Sequence, residues 1–232
     1  RCMVNELSKQ LAREAMEQEV LSPQEKLLDV YGRDNKMFLG IPKEERMQEN
    51  RVALTPNAVG MLTAQGHRVM IEKGAGKRSF YQDNEYSEAG AEVVHSKAEI
   101  FKANIILKVV PPTTEEIDLM PGDQVIISPL HMPLVSEEYL NALRNKRITA
   151  IAMEYLKDRN DSFPIVRALS EIAGLSAVLT AAELLSVTSQ GRGVLLGGIA
   201  GIPPAKVMIL GAGVVGEFAT KAALGLGASV RV

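Results

Sequence analysis

Tryptophan is missing from the 232 residues, and aromatic residues make up only 4% of them. So few rings argue against platforms for stacking nucleic-acid bases. Neither sign of charge dominates: 26 Lys and Arg stand against 28 Asp and Glu, a formal net charge of −2. That balance gives no electrostatic reason to expect nucleic acid or an acidic membrane as a partner. The single cysteine, Cys2, excludes an internal disulfide framework and fits a reducing cytoplasm. No unbroken apolar run reaches the ~18 residues of a membrane span. The longest candidate, around Ile172 to Leu185, is interrupted by Ser176, Thr180 and Glu183. The opening residues Arg1 to Glu6 are too polar and acidic for a signal peptide. Internal repeats and low-complexity tracts are absent as well.

What remains has the composition of a globular protein, 46% hydrophobic and 23% charged, long enough for one large or two small domains. Residues 1 to 36 read as a polar leader, with Leu7, Leu11 and Ala15 at helical spacing. This pattern predicts an amphipathic arm packing on the same chain or a sister subunit. From Met37 onward, strand-like runs alternate with helix-like ones. Strands are expected at 37–41, 67–72, 93–94, 105–110, 125–128 and 148–153. Helices are expected from Pro56, with Thr55 as N-cap, and at 84–89, 97–102 and 137–145. Alternation of this kind predicts an α/β fold with a mainly parallel sheet covered on both faces. Ligands of such sheets sit at the carboxyl ends of the strands. Arg51, Val110, His131 and Glu154 are all expected there. A long apolar helix, Ala168 to Val187, is expected to link two domains.

The last stretch is the most informative. Lys206 to Leu210 is a strand-like run, and Gly211-Ala212-Gly213-Val214-Val215-Gly216 follows at once. Glu217 to Leu226 then reads as a helix stopped by Gly227, and Ala228 to Val232 as a second strand. Strand, glycine turn, helix and strand in this order form the first βαβ unit of a dinucleotide-binding Rossmann fold. Gly211 allows a tight turn, Gly213 lets a pyrophosphate approach the backbone, and Gly216 lets the helix pack close. The acidic residue that grips the ribose belongs ~20 residues past the glycines, beyond Val232. The chain therefore reads as a piece of a longer protein, with NAD and NADP both open.

Several motifs together resemble one family. They are Gly40-Ile41-Pro42-Lys43-Glu44, Glu49-Asn50-Arg51-Val52-Ala53-Leu54-Thr55-Pro56, Gly66-His67-Arg68-Val69, Gly74-Ala75-Gly76, Ala89-Gly90-Ala91-Glu92, Leu107-Lys108-Val109 and Ser170-Glu171-Ile172-Ala173-Gly174. From about Met37 to Val232 the chain resembles the start of the alanine dehydrogenase/pyridine nucleotide transhydrogenase family. The resemblance implies an N-terminal substrate domain over 37–166 and, over 167–232, the linking helix with the first part of an NAD-binding domain. It implies NAD-dependent oxidation of L-alanine to pyruvate and ammonium, an amino acid or 2-oxo acid as the small-molecule partner, and a cytoplasmic homo-oligomer.

The same resemblance assigns roles. Arg51 matches the arginine that holds the substrate carboxylate, which suits a guanidinium fork. His131 matches the catalytic histidine, and imidazole titrates where amine oxidation must move protons. A histidine after a strand is by itself more often structural, and His67 and His95 keep that reading. Ser170, at the head of the linking helix, matches a residue contacting NAD, and the loop of Gly211, Ala212, Gly213, Val214, Val215 and Gly216 presents the dinucleotide. Glu154 matches a carboxylate that touches a metal in some members. One position departs: where alanine dehydrogenases carry a second carboxylate-binding lysine, two residues past Lys108, this chain has Val110. A second catalytic residue, an aspartate, belongs beyond Val232, so the piece by itself is expected to be inactive. Two alternatives stay open. One is the NAD-binding alpha subunit of an NAD(P) transhydrogenase, which would need a membrane partner. The other is a catalytically silent NAD-binding homologue. Val110 favours both, and His131 opposes the first.

Overall fold

The computed structural model describes residues 36–46 and 48–232. The helical leader expected over 1 to 36 falls outside the described residues apart from its last position. Beyond it come β1 (Phe38–Ile41), α1 (Pro56–Ala64), β2 (Arg68–Glu72), α2 (Asp83–Glu88), β3 (Glu92–Val94), α3 (Lys97–Ile100) and β4 (Ile105–Leu107). Then follow α4 (Thr114–Asp118), β5 (Val125–Ser128), α5 (Glu137–Asn145) and β6 (Thr149–Ala152). Last come α6 (Pro164–Leu185), β7 (Lys206–Met208), α7 (Val214–Gly225) and β8 (Ser229–Arg231).

Six strands form one sheet in the order β3-β2-β1-β4-β5-β6, and β7 with β8 forms a second. Each strand pair whose register is described is parallel. This is the α/β, Rossmann-like architecture that the alternation of strands and helices predicts. Contacts group the chain into two units, one of 36–43 with 50–106 among the described residues, the other of 44–49 with 107–232.

In the first unit the sheet is buried on both sides, with Ile41, Val69 and Ile71 almost fully enclosed, as parallel strands require. The start of α1 follows from its sequence. Thr55 accepts a hydrogen bond from the Ala58 N–H, and Pro56 fills the first turn, where no N–H is needed. Gly66, at φ +84°, ends the helical segment in the left-handed conformation. Gly40 permits β1 to lie against α3, because a Cβ there would stand 2.5 Å from the Ile100 carbonyl oxygen. Tyr86 is fully buried, packs edge-on to Tyr81 with ring centroids 6.3 Å apart, and donates to the Leu54 carbonyl at 2.9 Å.

The second unit corrects three expectations. β4 stops at Leu107 instead of running to Val110: Lys108 still donates to the Ile127 carbonyl of β5, but the N–H groups of Val109 and Val110 turn to the Glu44 carboxylate. Helix α4, absent from the sequence reading, is built by a capping box. The Thr113 hydroxyl accepts from the Glu116 N–H at 3.1 Å, and the Glu116 carboxylate accepts from the Thr113 N–H at 3.0 Å. Helix α6 begins at Pro164, ahead of the expected Ala168, and ends at Leu185. By length and composition alone this helix could cross a membrane, although Ser176, Thr180 and Glu183 interrupt its apolar run. In this fold it packs along α7. Gly174 makes the approach possible, since a Cβ there would lie 2.5 Å from the Val215 carbonyl oxygen. Val178, Leu196, Ala219, Ala223 and Ala228 form the core beneath.

Burial is the main cause that pushes the Tyr86 phenol up to about 12, with Tyr81, Glu85 and Asp83 adding to it. An unfolded tyrosine ionises near ~10. The stability tied to this phenol is thus complete below the unfolded value and is lost as the pH climbs through the folded one. Tyr86→Phe should cost about 1 kcal/mol at neutral pH, for the lost bond to Leu54. It should also flatten the decline of stability in that alkaline window, as urea titrations across the range would show.

Candidate functional site

The residues that follow β4 carry a buried charge. Lys108 is 2% exposed, yet its Nζ lies 2.8 Å from Glu44 Oε2 and 3.3 Å from Glu116 Oε1. Burying an ammonium costs its hydration free energy, which only well-placed opposite charges can offset. Two do so here. Glu44 also accepts from the Val109 N–H at 2.6 Å and the Val110 N–H at 3.4 Å. One carboxylate therefore neutralises the lysine and fixes the turn that the strand leads into. Lys108 is fully engaged inside the fold, so its amine does not stand in for the lysine that Val110 replaces.

The turn after β5 is held in a related way. Its residues run Ser128-Pro129-Leu130-His131. His131 is exposed and adopts the left-handed conformation, φ 52° and ψ 50°, which is sparsely populated for a residue with a Cβ. Glu154, just past β6, reaches this turn. Its Oε1 accepts from the His131 N–H at 2.8 Å and the Leu130 N–H at 3.1 Å, and its Oε2 lies 3.3 Å from the latter. Burial alone would raise the Glu154 carboxyl. N–H donors from its own backbone, His131 and Leu130, with the His131 charge, outweigh burial and hold it below the usual carboxylate range. Among the described residues no three His, Cys, Asp or Glu side chains gather to hold a metal ion. With its oxygens turned to backbone donors, Glu154 does not fit the metal role implied by resemblance.

His131 lines a cavity of about 600 Å³. Val110, Leu130 and Val135 give it apolar walls, and Arg46, Glu115 and Tyr139 supply polar groups. Sequence reasoning missed Arg46, which sits in a run of charged residues with no pattern to single it out. Glu115 is held below the usual carboxylate range by the Thr113 hydroxyl first, then by its own backbone N–H, with the Arg46 charge contributing. The Tyr139 phenol is pushed up to about 12, by burial first and then by the Glu116 charge, against the effect of Arg46. Among the described residues its hydroxyl and that of Ser128 are buried without a hydrogen-bond partner. Arg51 belongs to the first unit and is exposed, in the segment leading to Thr55. The Nδ1 of His67 accepts from the Met37 N–H at 3.2 Å, in keeping with a structural role.

A second cavity, of about 570 Å³, is lined by Ser170 together with Gly211, Gly213, Val214, Val215 and Gly216. The structure thus brings together the residues that sequence reading had assigned to the dinucleotide, apart from Ala212, which does not line it. Gly211 turns at φ +114°, a conformation open mainly to glycine. A Cβ on Gly213 would meet nothing within 4 Å, so the backbone there is open to a ligand. A Cβ on Gly216 would collide with the Gly211 carbonyl oxygen. Helix α7 begins at Val214, earlier than the expected Glu217, so its first turn directly adjoins the loop. The first N–H groups of a helix lack intrahelical acceptors and favour anions.

Comparison with known proteins places nearly the whole described region in one family. The family described as alanine dehydrogenase/PNT, N-terminal domain, matches residues 40–173, and its C-terminal domain counterpart matches 177–232. The chain is 42% identical over 197 residues to an alanine dehydrogenase of Methanococcus maripaludis, covering 84% of this chain and 52% of that protein. The solved structure of an L-alanine dehydrogenase superposes with a TM-score of 0.77 at 43% identity, covering 82% of this chain and 52% of the other. A transhydrogenase from Sinorhizobium meliloti gives 0.72 at 33% identity, covering 83% and 57%. The chain spans about half the length of the curated relatives it matches.

Removing Lys108 leaves two enclosed carboxylates facing each other. Lys108→Met should destabilise the fold by about 3–5 kcal/mol, the usual cost of orphaning a buried charge. Adding Glu44→Gln should recover part of that loss. Equilibrium urea unfolding of the single and double variants measures both effects.

Proposed function

The chain belongs to the alanine dehydrogenase/PNT family, and we propose that it forms the N-terminal part of an NAD-dependent amino-acid dehydrogenase acting on L-alanine. In this reading 37–166 serve the substrate, and 167–232 provide the linking helix and the start of the NAD-binding domain. The net reaction converts L-alanine, water and NAD to pyruvate, ammonium and NADH, with one proton released. The observation that carries the reading is His131, presented on a fixed turn at the carboxyl end of β5 and lining a cavity large enough for a small substrate.

Each residue has a chemical task. The Arg51 guanidinium pairs with the substrate carboxylate through two parallel bonds. The His131 imidazole takes a proton from the substrate amine as the carbon–nitrogen double bond forms, and moves protons again as water adds. Ser170 and the loop from Gly211 to Gly216 hold the dinucleotide, with backbone N–H groups toward its pyrophosphate. Bound NAD supplies the hydride acceptor. The apolar walls Val110, Leu130 and Val135 limit water around the reacting atoms.

A second reading has a specific observation behind it. Val110 lines the cavity at the position where the resemblance implies a lysine, and the transhydrogenase likeness is nearly as strong in fold. In that case the subunit passes hydride between nucleotides.

The intact protein should form NADH when given L-alanine and NAD. His131→Ala should lower this rate by ~10²–10⁴-fold, the span of general acid–base catalysis. Tight NADH binding without alanine turnover, together with hydride exchange between NADH and an NADP analogue, would replace the leading reading by the second. The cofactor site has its own test. Gly213→Val meets open space and should leave the helix content unchanged, while fluorescence titration should show NADH affinity about tenfold weaker because the pyrophosphate approach is blocked.

A further inference from the structure

We propose that Glu154 is a positioning residue for His131, acting through the backbone of the turn that carries it. The inference rests on the dehydrogenase reading for its catalytic consequence, though its geometry stands alone. A residue with a Cβ at φ 52° and ψ 50° occupies a sparsely populated conformation and persists only where its surroundings enforce it. Here the enforcing group is identifiable. Glu154 Oε1 takes two successive N–H groups, from Leu130 at 3.1 Å and His131 at 2.8 Å. Two adjacent N–H groups can converge on one oxygen only if the peptide between them is turned toward it. The clamp therefore selects the orientation of the Leu130–His131 peptide, and with it the direction in which the His131 Cα–Cβ bond leaves the chain.

The surroundings support a mechanical role. Pro129 precedes the clamped pair and can donate no N–H of its own. Past His131 the chain enters a single 3-10 turn over Met132–Leu134, whose Leu134 N–H donates to the His131 carbonyl at 2.7 Å. His131 is thus held at its N–H by a carboxylate and at its carbonyl by the following turn. Its side chain, by contrast, is left exposed at the cavity. A fixed backbone with a side chain at the cavity is the arrangement that pre-aligns a proton-transferring group. Glu154 stands in the 3-10 turn Met153–Tyr155 that directly follows β6, the strand parallel to β5, so the pairing of the two strands sets the reach of the clamp. The same engagement explains why Glu154 is poorly placed to ligate a metal ion: its carboxylate is already turned toward neutral donors in the protein.

The test uses the intact protein with Glu154→Ala and Glu154→Gln. Glutamine keeps a carbonyl oxygen where Oε1 stands, whereas alanine removes both acceptors. Hydrogen–deuterium exchange of the peptide spanning 129–135 should speed up ~10-fold or more in the alanine variant, as a charge-assisted bond is lost, and recover largely with glutamine. In the same alanine variant kcat for L-alanine oxidation should fall on the order of 100-fold, the effect of a catalytic group displaced by about 1 Å. NADH affinity should stay unchanged, and glutamine should restore most of the rate. Unchanged exchange in Glu154→Ala overturns the clamp. Faster exchange with an unchanged kcat overturns the positioning of a catalytic His131. Loss of bound Mn²⁺, followed by electron paramagnetic resonance, with equal losses in both variants and an unmoved turn, replaces the proposal by a metal site. Should the unsubstituted protein fail to oxidise alanine, the dehydrogenase reading and the catalytic role drawn from it fall, while the exchange arm still decides the clamp.

Discussion

Burial of the Lys108 ammonium between Glu44 and Glu116 is the interaction on which the cavity around His131 depends. A charged amine at 2% exposure is tolerable only with both carboxylates in place. Those carboxylates are also structural ligands of the backbone. Glu44 fixes the N–H groups of Val109 and Val110, and Glu116 closes the capping box that starts α4. The walls of the cavity at Val110 and Thr113 are therefore set by the geometry of one buried ion cluster. Electrostatics here shapes a surface, and the free energy spent on desolvation is returned as a defined conformation.

The same device recurs after β1, β2 and β5. Glu72 accepts from the Lys43 N–H at 2.8 Å, Asp83 from the Gly74 N–H at 2.7 Å, and Glu154 from the turn at His131. Backbone donors that leave the sheet ladder must find other acceptors. Carboxylates from neighbouring segments provide them, and each fixes a turn at the carboxyl end of the sheet, where parallel α/β folds place their ligands. The glycine loop solves the corresponding problem without side chains. Its helix starts immediately after the turn and leaves its first N–H groups for a ligand, while Gly216 lets the turn and helix touch.

These two kinds of site differ in how well they can be read from sequence. The glycine loop is local: strand, turn and helix lie within a few dozen residues, and their spacing states the geometry directly. The structure places Ser170 beside that loop because α6 packs on α7 through Gly174. The His131 turn was legible only as a histidine after a strand, since nothing in Ser128-Pro129-Leu130-His131 announces a left-handed residue. Arg46 and Tyr139 were not legible at all, because a cavity wall assembled from three separate segments leaves no periodic trace. Helix α4 was overlooked although Thr113-Thr114-Glu115-Glu116 carries a capping box, its shortness hiding it among the prolines before it.

The alternation of strands and helices, the Thr55 cap and the βαβ unit with its three glycines are encoded locally. Each of these follows from the conformational limits of neighbouring residues: side-chain periodicity, the fixed φ of proline, the missing Cβ of glycine. Tertiary structure alone decided that β4 ends at Leu107, that Lys108 is buried between carboxylates, and that Glu154 holds the backbone of His131. Glu44 and Lys108 are 64 residues apart, and Glu154 and His131 are 23 apart. Pairs at such separations meet only after the sheet has formed, and their energies depend on the solvent it excludes. No local pattern encodes a dielectric, so these contacts became visible only in the fold.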